Sequence, residues 1–199
     1  MMVVAAPKAL TIEEYLKRED QAPEKSEFIN GEIIPMAGAS ANHNRLTGKL
    51  YALLLFALED HGYSVFMSDM RLWIAESGSY FYPDVMVIAE EPIFTDGKQM
   101  AVTNSCLIAA VLSASTEGFD KTQKFGFYRS IPELQEYLLI DQFIDQSRHF
   151  VEHYQKVGDR QWLLTEVVGE NTEFQLGCLG ITIKLSDLYK KVYLLQKNQ

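Results

Sequence analysis

The sequence predicts one α/β or α+β domain built on a mixed β-sheet flanked by helices, with extra strands at both ends. Three observations predict it. The 199 residues suit a single domain, taken as 1–199 with 1–10 expected to be flexible. Hydrophobic residues at 47% and charged residues at 23% are enough to bury a real core. Helix-periodic stretches alternate with short β-branched and aromatic runs, with no internal repeat, low-complexity segment or linker between them.

The elements follow in order. TIEEYLKRE opens on Thr11, a good N-cap, with Glu13 and Glu14 in the first turn of a short helix. EFINGEIIPMAG reads as two strands around Asn30-Gly31, a type I′ hairpin signal. RLTGKLYALLLFALEDHG carries Leu46, Leu50, Leu53, Leu54 and Ala57 at helical spacing, capped by Asn42 or Asn44 and ended by Gly62. Its middle is apolar nearly all round, so burial against a sheet is expected. YSVFMSDMRLWIA, YFYPDVMVIAE and LIAAVLS read as three strands, FDKTQKFGFYRSI as a helix and ELQEYLLIDQ as a fourth main strand. Meander-like strands follow in RHFVEHYQK, RQWLLTEVV and EFQLGCLGITIKL, and SDLYKKVYLLQ, capped by Ser186, closes as a helix.

Charge narrows the function. Asp and Glu number 27 against 18 Lys and Arg, a net charge of −9. That opposes long-range attraction to nucleic acid or an anionic membrane, although a local basic groove remains compatible with it. Cys106 and Cys178 form no CxxC pair, so a structural zinc site is not expected and two free thiols are. MMVVAAPKAL lacks the charged start and apolar core of a signal peptide, and no apolar run reaches membrane-spanning length. A cytoplasmic protein without a membrane partner is expected, and the aliphatic ending Val192-Tyr193-Leu194-Leu195 is compatible with a homodimer.

Pro83-Asp84 is the most suggestive pair, because a carboxylate among Phe81, Val85, Val87 and Ile88 is costly to bury unless paired, hydrogen-bonded or metal-bound. Taken alone, Asp84 reads equally as a turn cap, His43 between Asn42 and Asn44 as part of a helix-cap cluster, and Lys124 as a solvated helix residue. His149 and His153 fall about 13 Å apart along one strand, too far to share a metal ion. No GxSxG elbow, GxGxxG or P-loop pattern is present.

The stretches EFINGEIIPMAGASANHNRL, VFMSDMRL, YFYPDVMV, VLSASTEGFDKTQKFGFYRSIPELQEYLLID and SDLY, in that order, resemble the Uma-two family of restriction-endonuclease-like proteins, within the PD-(D/E)XK nuclease superfamily. The resemblance runs over 11–193 and implies a restriction-endonuclease-like core and an Mg²⁺- or Mn²⁺-dependent DNA endonuclease. It implies Asp84 and Glu32 as metal ligands, His43 and Lys124 as further catalytic residues, and Ser113, Ser115 and Thr116 as the hydroxyl-rich turn after the acidic strand. The family pattern places a glutamate where this chain has Ala110, and a turn proline where it has Ala114. Alanine cannot bind a divalent cation, so impaired cleavage is expected unless Glu117 or Glu32 replaces the missing carboxylate. The alternative is a catalytically inactive nuclease-fold protein that binds nucleic acid or a protein.

Overall fold

A computed structural model describes residues 9–36, 38–95, 97–113, 117–143 and 149–193. A capping box opens α1 (Ile12–Glu19): the Glu14 N–H donates to the Thr11 hydroxyl at 3.2 Å, and the Thr11 N–H to the Glu14 carboxylate at 2.9 Å. β1 (Ser26–Ile29) and β2 (Glu32–Pro35) form the expected hairpin. Asn30 (φ 52°) and Gly31 (φ 87°) are both left-handed, as a type I′ turn requires. A Cβ at Gly31 would also lie 2.8 Å from the Ala9 side chain, a second reason for glycine there.

α2 (Ala41–Leu58) is capped by Ser40, not by Asn42 or Asn44, and stops before Gly62. Its burial is a stripe and not a full circumference: Leu46, Leu50, Leu54 and Leu58 are buried while Leu55 and Phe56 are exposed.

Two runs that read as single strands are each divided between two sheets. YSVFMSDMRLWIA becomes β3 (Tyr63–Met67) and β4 (Arg71–Ile74), separated by a turn with Ser68 at φ 47°. YFYPDVMVIAE becomes β5 (Ser79–Phe81) and β6 (Val85–Ala89), with Tyr82-Pro83-Asp84 between them. Proline has no N–H for a strand ladder, so pairing breaks there and the chain can change sheets. β7 (Ala101–Val102) and β8 (Leu107–Leu112) follow. The next helical stretch is α3 (Glu117–Phe119), a π turn (Asp120–Lys124) and α4 (Phe125–Tyr128). β9 (Glu136–Asp141), β10 (Phe150–Gly158), β11 (Gln161–Val168), β12 (Glu173–Leu176) and β13 (Ile181–Lys184) complete the strands. α5 (Leu185–Leu188) is a single turn preceded by Lys184, shorter than predicted and not capped by Ser186.

The strands form a five-stranded sheet, β2-β1-β5-β4-β7, a six-stranded sheet, β11-β10-β9-β8-β6-β3, and the hairpin β12-β13. Both large sheets are mixed, with β4·β7 and β8·β9 parallel. Three cores result. The α2 stripe and the β12–β13 hairpin pack on Val85, Val87, Leu107, Ala109 and Val111, one face of the six-stranded sheet. The other face, with Met86, Ile88, Ile108 and Ala110, meets Ile29, Leu72 and Phe81 of the five-stranded sheet and Tyr128 of α4. α1 covers the outer face of the five-stranded sheet through Tyr15 on Phe28 and Tyr80. Fully burying each of these large side chains contributes about 1.5–3 kcal/mol, so apolar packing holds the layers together. Among the described residues no helix is long and apolar enough to cross a membrane.

Candidate functional site

The change of sheets at Pro83 leaves Asp84 at the end of β6, where elements from both faces meet. β6 and β8 run antiparallel with Val85 opposite Ala109, so one further step puts Asp84 opposite Ala110. Directly opposed residues share a face, with Cβ atoms about 4.5–5.5 Å apart. A longer acidic side chain at 110 would therefore stand beside Asp84, and in this chain the position holds a buried alanine.

Asp84 Oδ2 accepts the Val111 N–H at 2.7 Å, and Oδ1 lies 3.3 Å from His43 Nε2. His43 comes from the opposite face, in the first turn of α2. A chain of hydrogen bonds holds it there. The His43 N–H donates to Ser40 Oγ at 3.0 Å, Ser40 Oγ bonds the Gln142 side chain, and Gln142 Nε2 donates to the Leu112 carbonyl at 2.7 Å. The N-terminus of α2 is thus pinned to the end of β8. Burial pushes the His43 pKa down, but the hydrogen bond and charge of Asp84, with Asp120 behind it, outweigh burial and raise it overall.

Lys124 arrives from the π turn. Its ammonium lies 2.9 Å from Glu27 Oε1 and 3.4 Å from Asp120 Oδ1. Burial works to lower its pKa, but Glu27, Asp120 and Asp84 together raise it, so Lys124 is held as a cation. The aromatic rings of Phe81 and Phe119 flank the ammonium at 5.9 and 5.6 Å. Glu27 also accepts the Tyr82 N–H at 3.3 Å, which ties β1 to the Tyr82-Pro83-Asp84 crossing. π turns recur at functional sites because the extra residue re-aims side chains. Here Asp120 and Lys124 both turn inward from that element.

The structure brings Asp84, His43 and Lys124 together and leaves Glu32 out. Glu32 is exposed on β2, an edge strand, beside the Asn30-Gly31 turn. Glu27 points to the same face of the hairpin, as the pairs Ile29–Glu32 and Glu27–Ile34 require, but lies one strand further in, between β2 and β5. The inner strand carries the acid to the site. Glu27, Asp120, Ser40 and Gln142 were not singled out from the sequence. Nothing in the run SEFI marked Glu27, and only the structure shows its four residues all buried. Ser113 lies just beyond β8, and Glu117 pairs with Lys121 at 3.0 Å; Ala114, Ser115 and Thr116 lie outside the described residues.

The cluster therefore holds three carboxylates against Lys124 and, when protonated, His43. Asp84 is the most open of the three, its side chain 19% exposed against 6% for Glu27 and 4% for Asp120. Among the described residues no three His, Cys, Asp or Glu side chains are grouped to hold a metal ion. Hard oxygens with one open carboxylate fit an Mg²⁺ that takes one or two protein ligands and keeps its waters, and do not fit a closed protein cage.

Comparison with known proteins agrees with this fold. The profile of the Uma2 family, described as "Putative restriction endonuclease", matches residues 12–186. "Uncharacterized protein sll1609" of Synechocystis is 70% identical over 181 residues, covering 91% of this chain and all of that protein. "Uncharacterized protein slr1290" of the same organism is 31% identical over 193 residues, covering 95% of this chain and 98% of that one. Among solved structures, the crystal structure of "a putative nuclease belonging to DUF820 from Anabaena variabilis ATCC 29413" superimposes with a TM-score of 0.72. It covers 92% of this chain and 99% of its own at 16% identity, a likeness of fold.

Proposed function

Because the chain belongs to the Uma2 family, we propose that it is a nuclease-type protein acting on DNA phosphodiesters through Asp84, His43, Lys124, Glu27 and Asp120. One observation carries this reading: five ionisable side chains from β1, α2, the β5–β6 crossing and the π turn converge at one end of the sheet. An isolated turn cap or solvated helix lysine would not gather such partners.

In this PD-(D/E)XK-type reading, Asp84, the open carboxylate, would hold Mg²⁺ or Mn²⁺, while Glu27 would keep Lys124 beside it in the place that Glu32 does not reach. The ion would supply the positive charge that eases deprotonation of the attacking water and offsets charge on the phosphate. Lys124, kept protonated by Glu27 and Asp120, cannot serve as a base; it stabilises negative charge building on the phosphate. His43, more basic than an ordinary histidine, presents a proton at Nε2 that it shares with Asp84 and can offer to a phosphate or leaving oxygen. Exposed Leu163, Leu164 and Val168 on the edge strand β11 support a homodimer. A cytoplasmic location goes with the same reading.

The test is nicking of supercoiled DNA with Mg²⁺ or Mn²⁺. The chain nicks the plasmid, and Asp84→Asn slows nicking by roughly 10²-fold or more, the scale of one lost catalytic group. No nicking with either cation, or equal rates in the two proteins, overturns it.

Ala110 favours a second reading, a nuclease fold that binds nucleic acid or protein without cutting. Its mark would be calorimetric Mg²⁺ binding, and nicking, in Ala110→Glu alone.

A further inference from the structure

The other end of β8 carries a buried polar cluster that the proposed reaction does not use. Glu136, the first residue of β9, is 2% exposed. Its Oε1 accepts from His153 Nε2 at 3.2 Å, Gln155 Nε2 at 3.1 Å and the Gly177 N–H at 2.9 Å. Its Oε2 accepts the Cys178 thiol at 3.0 Å. Cys106, just before β8, is fixed on the same side: its carbonyl accepts the Glu136 N–H at 3.2 Å and its thiol donates to the Val87 carbonyl at 3.3 Å. The two thiols lie close enough to shift each other's titration, flank the same Glu136, pack in one core and are not joined. Cys178, in the β12–β13 turn, is half-buried and borders a cavity of about 310 Å³ with Glu136 and Lys156.

We propose that Cys106 and Cys178 form a dithiol site that a hydroperoxide oxidises to an intramolecular disulfide. Cys178 borders the cavity and meets the peroxide first. Its sulfur attacks one peroxide oxygen, the O–O bond breaks, and the products are Cys178 sulfenic acid and water or an alcohol. Cys106 then attacks the Cys178 sulfur, the S–S bond forms and a second water leaves, carrying the Cys106 proton and the sulfenic oxygen. Two thiols lose two electrons to one peroxide. The neighbouring Cys178 lowers the Cys106 pKa, which suits it to the resolving step. The Cys106 contact, burial and Glu136 push Cys178 upward, so the first step is slow and requires excess peroxide.

Hydrogen peroxide is titrated onto the folded full-length chain, which is then denatured and alkylated with iodoacetamide. The expected product has lost two hydrogens, takes up no alkyl group, yields a Cys106–Cys178 cross-linked peptide and reverts with dithiothreitol. Its unfolding midpoint rises, because the bond restricts the unfolded chain. Cys106→Ser should stop at a sulfenic acid that dimedone traps on Cys178. Should that variant not fold, Cys178→Ser serves instead, and its buried Cys106 should resist peroxide. Both thiols remaining alkylatable in excess peroxide, Cys178 passing to sulfinic acid beside a free Cys106, or a disulfide between two copies would each overturn the proposal.

Discussion

At the Leu107 end of β8, Glu136 receives hydrogen bonds from His153, Gln155, Gly177 and Cys178. At the Ala110 end, Asp84 has the Val111 N–H and His43, and it stands near two further carboxylates that share Lys124. The same strand thus separates a single carboxylate filled by four donors from a group of carboxylates that share one cation. A filled acceptor fixes the β9–β10 and β12–β13 elements around it and offers nothing to a ligand. A charged cluster with one open member retains capacity for a ligand, because its oxygens are not all committed.

The largest effect should come from the shared cation. Lys124→Met leaves Glu27 and Asp120 buried without their counter-charge, and removing one partner of a buried pair costs roughly 3–5 kcal/mol. Urea unfolding should show that loss, and a change under about 1 kcal/mol would mean that water already reaches the cluster.

Glu136→Gln is expected to cost less, roughly 1–3 kcal/mol, since one buried oxygen acceptor becomes a donor with no acceptor opposite. It should leave plasmid nicking unchanged. A nicking defect at full folding would break the division between the two ends.

pH separates them further. Burial pushes Glu136 up, but the bonds from His153, Cys178 and Gly177 prevail and hold its pKa below the usual carboxylate range. Its contribution is present above about pH 4.5 and is lost as pH falls through the lower folded value. His43 runs the other way. Its pKa is raised, so its contribution is complete below about pH 6.5 and is lost as pH climbs through the folded value. Stability profiles should therefore lose their acid limb in Glu136→Gln and flatten above neutrality in His43→Gln. The His43 change is the smallest, below about 1 kcal/mol for a partly exposed pair.

Much of the local structure was legible. Thr11 and Glu14, Asn30-Gly31 and the α2 leucines are short-range patterns whose physics needs only neighbouring residues. Asp84 and Lys124 stood out through motif context, and Ala110, read as the acidic-strand position, lies one step beyond the Val85–Ala109 pair, opposite Asp84. The division of the two apolar runs between sheets was not legible. Val65 and Leu72 are equally apolar, and only their partners, β6 for one and β5 and β7 for the other, assign them to different sheets.

By itself, then, the sequence determined which segments fold locally, that a carboxylate follows Pro83 among apolar neighbours, and that position 110 carries no carboxylate. Those are properties of backbone chemistry and side-chain identity. Only the tertiary structure decided that Glu27 and not Glu32 pairs with Lys124, that Ser40 and Gln142 hold His43 over the sheet, and that Cys106 and Cys178 pack in one core. Each depends on which strand lies inside and which at the edge, and strand order follows from burying whole faces against one another, a long-range sum that no single stretch of sequence contains.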